Sequence, residues 1–298
     1  MGHSAFYYIT RPKLAFEALH LKLSDRYAIE QQWKACMDYP LDLDHPKTFS
    51  EKLQWLKLYD RKSIYHQMVD KVDAKTYINN AIGGEYAVPT LGVWNRFERI
   101  DWDFLPQQFV LKATHDSGSF FIVKEKSLVD RQECKDRLYK HWRKSYYKNS
   151  REWQYKGLKH RIMAEPLIAD PKQLREYKFF CFNGEPKFYQ ICMDRDNDLG
   201  GAAVQCVGID GTLLDMQETT YNNRISNNII LNPQHKEQMI SIAKLLSKDM
   251  CFLRVDFFET KEKFYVGELT LHESAGFCFF SPDYWNITLG GWIHLPID

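Results

Sequence analysis

The sequence predicts an α+β fold with at least two lobes, and its order of patterns is the main reason. Helical periodicity fills the first eighty residues. A small group of strands, a helix and a larger mixed group of strands follow, instead of a strict strand–helix alternation. At 298 residues, 44% hydrophobic and 15% aromatic, the chain is long and apolar enough for more than one packed core. It has no internal repeat and no low-complexity segment.

The elements follow in order. An amphipathic pattern runs from about Lys13 to Met37 and ends near Pro40. In HPKTFSEKLQWLKLYDRK, Thr48 as N-cap and Glu51 three residues on predict a capping box, with Phe49, Leu53 and Leu56 on one apolar face. Ser63 is expected to cap a further helix reaching about Asn80, ended by Gly83-Gly84. AVPTLGVW (87–94) contains proline and reads as an edge strand. QQFVLKATHDSGSFFIVK (107–124) reads as strand, turn and strand, with the turn at Asp116-Ser117-Gly118. A helix is expected from about Asp130 to Tyr147. RIMAEPLI (161–168), EYKFFCFNG (176–184) and PKFYQICM (186–193) read as strands, with a hairpin signal at Asn183-Gly184. Residues 199–230 carry no clear pattern, and 233–249 has helical spacing.

Composition excludes several classes. A net charge of +1 argues against a protein built to bind nucleic acid. No apolar run has the roughly 18–20 residues of a membrane span. The opening stretch MGHSAFYYITRPKLAFEALHLKL lacks an apolar core followed by a small-residue cleavage site, so no signal peptide is expected. The seven cysteines are scattered and form no CxxC pair, which predicts free buried thiols, a reducing cytoplasm and no zinc site.

The chemistry concentrates in FLRVDFFETKEKFYVGELT (252–270), two aromatic-rich runs that each carry a carboxylate. Alternation puts Arg254 and Asp256 on one face of the first arm, and Glu268 and Thr270 on one face of the second. A loop of three or five residues centred on Glu262 would set Asp256 opposite Glu268, whereas an even loop would not. Two carboxylates that close repel unless a cation lies between them, and Mg²⁺ suits such a pair together with phosphate oxygens. On a half-exposed hairpin the same pair could equally be two solvated acids. Lys112 ends the apolar strand FVLK just before Ser117, Gly118 and Ser119, where a lysine and loop amides could reach phosphate.

These residues belong to seven segments that, in order, resemble the TupA-like branch of the ATP-grasp family, named for teichuronopeptide synthesis. The segments are PKTFSEKLQWLKLYDR (46–61), VDKVDAKTYI (69–78), LPQQFVLKATHDSG (105–118), AEPLI (164–168), EYKFFCFNGEPK (176–187) and RVDFF with GELT. The resemblance spans roughly residues 40–290. It implies two α+β lobes holding ATP between two sheets, with a helical N-terminal extension: a helical region at 1–82, a small lobe with the Lys112 strand and phosphate loop at 83–160, and a large lobe with the Mg²⁺ and ATP site at 161–298. It also implies roles. Lys112 and Lys178 contact phosphates, and the loop His115–Ser119, including Ser117 and Gly118, closes over them. The backbone of Glu165, Pro166, Leu167 and Ile168 forms the hinge against adenine, and Glu176 takes the ribose hydroxyls. Lys71 reaches the nucleotide, Asp256 and Glu268 hold Mg²⁺, and Arg254 faces the transferred phosphate or the reacting carboxylate. Thr270 stands where the wider family has Asn, so Thr270 or Glu273 would complete a metal site. His272 or Glu273 is a candidate base.

The activity implied is an ATP-dependent carboxylate–amine ligase working through an acyl phosphate. It would join an amino acid or amine to a uronic acid of a cell-surface polysaccharide or its precursor, and would touch a lipid-linked precursor peripherally. Segment 131–159, with ten Lys/Arg against three Asp/Glu among aromatics, suits an anionic sugar, or is simply a solvated helix face. The rival readings are a glycosyltransferase using Asp194, Asp196 and Asp198, a sugar kinase, and a non-catalytic carbohydrate-binding protein.

Overall fold

A computed structural model of the chain describes residues 24–83, 86–140, 142, 145–170, 174–193, 203–219, 223–224 and 233–296. Helix α1 (Asp25–Cys36) starts at Ser24, whose side chain accepts from the Tyr27 N–H; the rest of the helix expected from Lys13 lies outside the described residues. Helix α2 (Phe49–Tyr59) has the expected capping box: Thr48 Oγ1 accepts from the Glu51 N–H, and Glu51 Oε2 accepts from the Thr48 N–H at 2.8 Å. The helix expected from Ser63 to Asn80 is instead two, α3 (Ile64–Val69) and α4 (Asp73–Ile82), and Ser63 makes no side-chain cap. Asp70 accounts for the break. Its buried carboxylate accepts from the Val72 and Asp73 N–H groups through Oδ1, and from the Thr114 hydroxyl through Oδ2, turning the chain there. Gly83, at φ 65°, ends α4 as expected.

Two sheets follow. The smaller has the order β1-β4-β2-β3, from β1 (Gly92–Trp94), β2 (Phe109–Ala113), β3 (Phe120–Val123) and β4 (Ile162–Pro166). Of the AVPTLGVW segment only Gly92–Trp94 forms a strand, and it lies at the sheet edge as expected. The limit expected near residue 160 falls just before β4, which pairs within this sheet. Phe109, Leu111, Ile162 and Ala164 face a core closed by Cys134 and Leu138 of α5 (Arg131–Tyr139). The helix expected from Asp130 to Tyr147 stops there, and a short α6 (Tyr146–Ser150) follows.

The larger sheet has the order β11-β10-β5-β6-β7-β9. Its strands are β5 (Arg175–Phe182), β6 (Glu185–Met193), β7 (Ala203–Gly208), β9 (Asn223–Arg224), β10 (Phe252–Glu259) and β11 (Phe264–Thr270). Asn183 and Gly184, both at positive φ, make the β5–β6 hairpin turn as predicted. β8 (Gln217–Glu218) pairs with β12 (Phe280–Ser281) beside this sheet. Tyr177, Phe179, Leu253, Val255 and Phe257 face helix α7 (Pro233–Ser247) and helices α3 and α4.

The opposite face of the larger sheet changes character along its length. At one end Phe180, Phe182, Phe188 and Phe252 pack under Phe49 and Leu53 of α2 and Leu289 of α8 (Tyr284–Trp292). Burying each such side chain contributes about 1.5–3 kcal/mol. At the other end the same rows become Arg254, Asp256, Lys178 and Gln190. The aromatic half thus anchors the sheet so that its polar half can hold charge.

Helices α1 and α2 also grip the segment after β11. Trp33 and Met37 pack on Ala275 and Phe277. Gln54 and Lys57 donate to the Gly276 and Ala275 carbonyls at 2.8 and 2.9 Å, and Ser50 donates to the Cys278 carbonyl at 2.6 Å. Burial pushes the Lys57 amine down to about 7, against the pull of Glu152 and Asp25. The unfolded lysine therefore binds more protons between about pH 7 and 10.5, and this penalty on folding is relieved as pH rises through that window. Relative to Lys57→Met, the native chain is expected to gain stability from pH 7 to pH 10 in chemical denaturation. A difference independent of pH would contradict the buried-lysine account.

Candidate active site

The carboxylate pair meets, but by a different route from the one expected. The β10–β11 loop, Thr260 to Lys263, has four residues, since Glu259 pairs with Phe264. An even loop alone would turn Glu268 to the other face. A β-bulge restores the parity: Phe257 pairs with Val266 and Asp256 with Glu268, so Gly267 is the extra residue. A Cβ at Gly267 would lie 2.4 Å from a ring carbon of Phe258. Gly267→Ala is expected to cost about 1–3 kcal/mol and to lower the melting temperature by several degrees. An unchanged melting temperature would show that the ring gives way freely.

From this bulge a polar row crosses four strands. Glu268, Asp256, Lys178 and Gln190 stand side by side on β11, β10, β5 and β6, and their side chains share one face. Asp256 is fully buried, Lys178 and Glu176 are nearly so, and Glu268 is exposed. Arg254, opposite Thr270, donates to both Asp256 oxygens at 2.7 and 2.6 Å and to Glu273. Burial works against the Arg254 charge, but Asp256 and Glu273 outweigh it and hold the guanidinium charged. Glu273 is therefore engaged by Arg254, and Thr270 is half-buried at the strand end.

The smaller sheet presents the complementary charge. Lys112 on β2 pairs with Glu165 on β4, and Lys75 on α4 reaches the same carboxylate at 2.6 Å. Burial raises the Glu165 carboxyl, but Lys112 and Lys75 together bring it below its ordinary value. Lys71, just before α4, donates to the Asp116 carbonyl in the 115–119 loop, and its own N–H bonds to Thr114 O at 3.1 Å. Within that segment Gly118 has φ 93°, and the Ser119 hydroxyl donates to Asp116. His115 is buried, stacked on His160 with ring centroids 3.8 Å apart, and among the described residues neither of its ring nitrogens has a hydrogen-bond partner. Burial, with His160 beside it, pushes the ring down to about 4, leaving a neutral imidazole at pH 7. Pro166 ends β4, and Leu167 and Ile168 follow it, half-buried.

Tyr146 ties the halves together. Its hydroxyl shares a hydrogen bond with Ser117, and burial together with Glu152, Glu268 and Asp116 raises its pKa well above the ordinary value. Ser117 of the loop at 115–119 thus bonds to Tyr146, and the Glu268 charge at the end of β11 also bears on that hydroxyl. Sequence reasoning missed Lys75 and Asp70, and placed Tyr146 only among the aromatics of segment 131–159. The signal for Lys75 was present only within the single helix expected from Ser63 to Asn80, where it would fall four residues after Lys71; in the structure Lys71 precedes α4. His272 is buried, with Nδ1 3.0 Å from Gln154 Nε2 and 3.8 Å from Glu152. Burial lowers its pKa. The acidic run at Asp194, Asp196 and Asp198 lies outside the described residues.

The residues present fit a nucleotide and its metal ion. An ionised carboxylate offers about four lone-pair sites, so Asp256 can accept from Arg254 and still ligate. Among the described residues no group of three or more His, Cys, Asp or Glu forms a metal cage, so phosphate oxygens would complete the ligation that Asp256 and Glu268 begin. The orphaned His115 nitrogens and the lysines 71, 75 and 112 suit an anion at the loop.

Two sheets, one bearing lysines and the other paired acids, are the layout of a nucleotide-clasping enzyme of the ATP-grasp class. The family described as TupA-like ATPgrasp matches residues 51–294, and the chain belongs to it. It is accordingly an ATP-grasp ligase that uses ATP with Mg²⁺. No curated protein matches the sequence. Among solved structures, the D-alanine–D-alanine ligase of Helicobacter pylori is similar at 15% identity and a TM-score of 0.44, over 83% of this chain and 69% of that one. D-alanyl-alanine synthetase A of Vibrio cholerae O1 biovar eltor is similar at 12% and 0.45, over 92% and 70%. The ATP-grasp ligase PsnB, complexed with minimal precursor, Mg and ADP, is similar at 10% and 0.42, over 87% and 65%. Each is alike in part, and none is a guide to this chain's chemistry. Among the described residues no helix is long and apolar enough to cross a membrane.

Proposed function

We propose that the chain is a carboxylate–amine ligase that joins an amine or amino acid to a uronic acid of a cell-surface polysaccharide or its precursor. The observation that carries the reading is the continuous row Glu268, Asp256, Lys178, with Arg254 two residues along, on the larger sheet, together with the lysine cluster around Glu165 on the smaller one. The carboxylate takes the γ-phosphoryl group of ATP, giving an acyl phosphate and ADP. The amine nitrogen then attacks the acyl carbon, phosphate leaves, and the nitrogen loses its proton. Bound Mg²⁺ supplies charge neutralisation at the transferred phosphoryl group.

In this reading the chain's own residues position and neutralise. Lys71, Lys112 and Lys178 contact phosphates, with Lys75 holding Glu165 and Lys112 in place. The loop His115, Ser117, Gly118 and Ser119 closes over the phosphates. The backbone of Glu165, Pro166, Leu167 and Ile168 lies against adenine, and Glu176 takes the ribose. Asp256 and Glu268 hold the ion, with Thr270 at its margin, and Arg254 faces the oxygen that develops charge. The cationic and aromatic groups near α5 and α6 favour an anionic sugar: Arg131 lies 4.7 Å from the Trp102 ring centre and Lys156 5.3 Å from that of Tyr147.

The test is Mg·ATP with glucuronic and galacturonic acid derivatives and hydroxylamine. ADP and a hydroxamate are expected. ADP with a stable phosphosugar would make the protein a kinase, and consumption of a UDP-sugar without ATP would make it a glycosyltransferase.

A further inference from the structure

The turn between α3 and α4 is joined to the loop at 115–119 through one residue, Thr114. Thr114 is fully buried, and each of its three polar groups is held. Its N–H donates to the Arg161 carbonyl at 2.9 Å, its carbonyl accepts from the Lys71 N–H at 3.1 Å, and its hydroxyl donates to Asp70 Oδ2 at 3.0 Å. Asp70 in turn is 1% exposed. Its Oδ1 accepts from the Val72 and Asp73 N–H groups at 2.9 and 3.2 Å and from Arg161 Nη2 at 2.7 Å. The same Nη2 reaches Asp73 at 2.9 Å. Donors from three segments thus meet on one carboxylate: the α3–α4 turn, the residue after β2 and the residue before β4.

An ionised carboxylate offers about four lone-pair sites, and four donors lie on Asp70. A buried group satisfied in this way sets geometry instead of taking a ligand. What it sets is the foot of the loop. Beyond Thr114 the chain runs through His115 and Asp116 and closes where the Ala113 N–H meets the Ser119 carbonyl at 2.9 Å. Lys71 Nζ donates to the Asp116 carbonyl, so the adjacent Asp70 and Lys71 hold the loop at two points, 114 and 116. In an unbroken helix the Val72 and Asp73 N–H groups would bond to carbonyls four residues back. Here they fix the carboxylate that Thr114 meets.

We infer that Asp70 is a positioning residue for the nucleotide phosphates: through the Thr114 hydroxyl it sets the place of the His115–Ser119 loop, and this bond is needed for the triphosphate to bind tightly but not for the nucleoside. The inference rests on the reading that this loop closes over the phosphates. It names what holds the loop, which that reading leaves open.

The experiment measures the Kd of Mg·ATP and of AMP by titration calorimetry for the native chain, Thr114→Val, Thr114→Ser and Asp70→Ala. Thr114→Val keeps the branched shape and removes the hydroxyl, whereas Thr114→Ser keeps the hydroxyl. AMP has the base and ribose but lacks the two outer phosphates, so the ratio of the two constants isolates the loop. In Thr114→Val and Asp70→Ala the Kd of Mg·ATP is expected to rise roughly tenfold, and that of AMP to stay within about twofold. Thr114→Ser should match the native chain. Binding of AMP shows within the same experiment that each variant is folded.

Failure of the two readings looks different. A native chain that binds Mg·ATP no more tightly than AMP overturns the phosphate-loop reading, and the positioning role with it. A native preference for Mg·ATP that persists unchanged in Thr114→Val overturns the positioning role alone. So does an equal rise of both constants, the mark of general loosening. A Thr114→Ser variant as weak as Thr114→Val also overturns it, since the hydroxyl would then not be what matters.

Discussion

Glu268→Gln is expected to lower ATP-dependent turnover on the order of a hundredfold or more while moving the melting temperature little. Glu268 is exposed at the end of the polar row, so its loss removes half of the paired acids without opening the core. Asp256→Asn should behave differently, losing turnover to a similar degree and stability as well. Asp256 is fully buried and accepts two hydrogen bonds from Arg254, so the amide leaves a buried guanidinium short of charge. The check is a paired measurement of ADP formation against Mg²⁺ concentration and of thermal unfolding. Raised Mg²⁺ should recover part of the Glu268→Gln activity. Unchanged turnover in either variant would remove the metal assignment.

Lys112→Met is expected to raise the KM for ATP by roughly 10–100-fold, the value of one charge-assisted contact of about 1.5–3 kcal/mol, and to lower kcat. The same substitution leaves Glu165 with Lys75 as its sole partner of the two that hold its carboxyl down. The sign of the pH effect follows. A carboxyl held below its ordinary 4.5 contributes stability that is present above that value and is lost as pH falls through its folded value. Lys112→Met should therefore be less stable than the native chain at pH 7, with the gap narrowing below pH 4.5. Steady-state ATP kinetics and denaturation at pH 7 and pH 3.5 test both halves. An unchanged KM would take Lys112 out of the nucleotide site.

Much of this could be read in the sequence, for identifiable reasons. The Thr48–Glu51 cap, the Asn183-Gly184 turn and the two hairpins rest on local chemistry that neighbouring residues determine. The meeting of Asp256 and Glu268 was foreseen from residue type, yet the bulge that achieves it was not. The spacing alone does not distinguish an odd loop from an even loop plus one extra residue, although Gly267 beside Glu268 was the available sign. The break at Asp70 was missed because its cause is tertiary: the carboxylate satisfies Thr114 on another element as well as the next turn.

The central claim is that ATP activates a carboxylate on this site as an acyl phosphate. Transfer of ¹⁸O tests it most directly: a uronic acid labelled in both carboxylate oxygens is turned over with Mg·ATP and an amine, and the inorganic phosphate is examined by mass spectrometry. The account predicts one ¹⁸O in each phosphate released. Amide formed with unlabelled phosphate would contradict it.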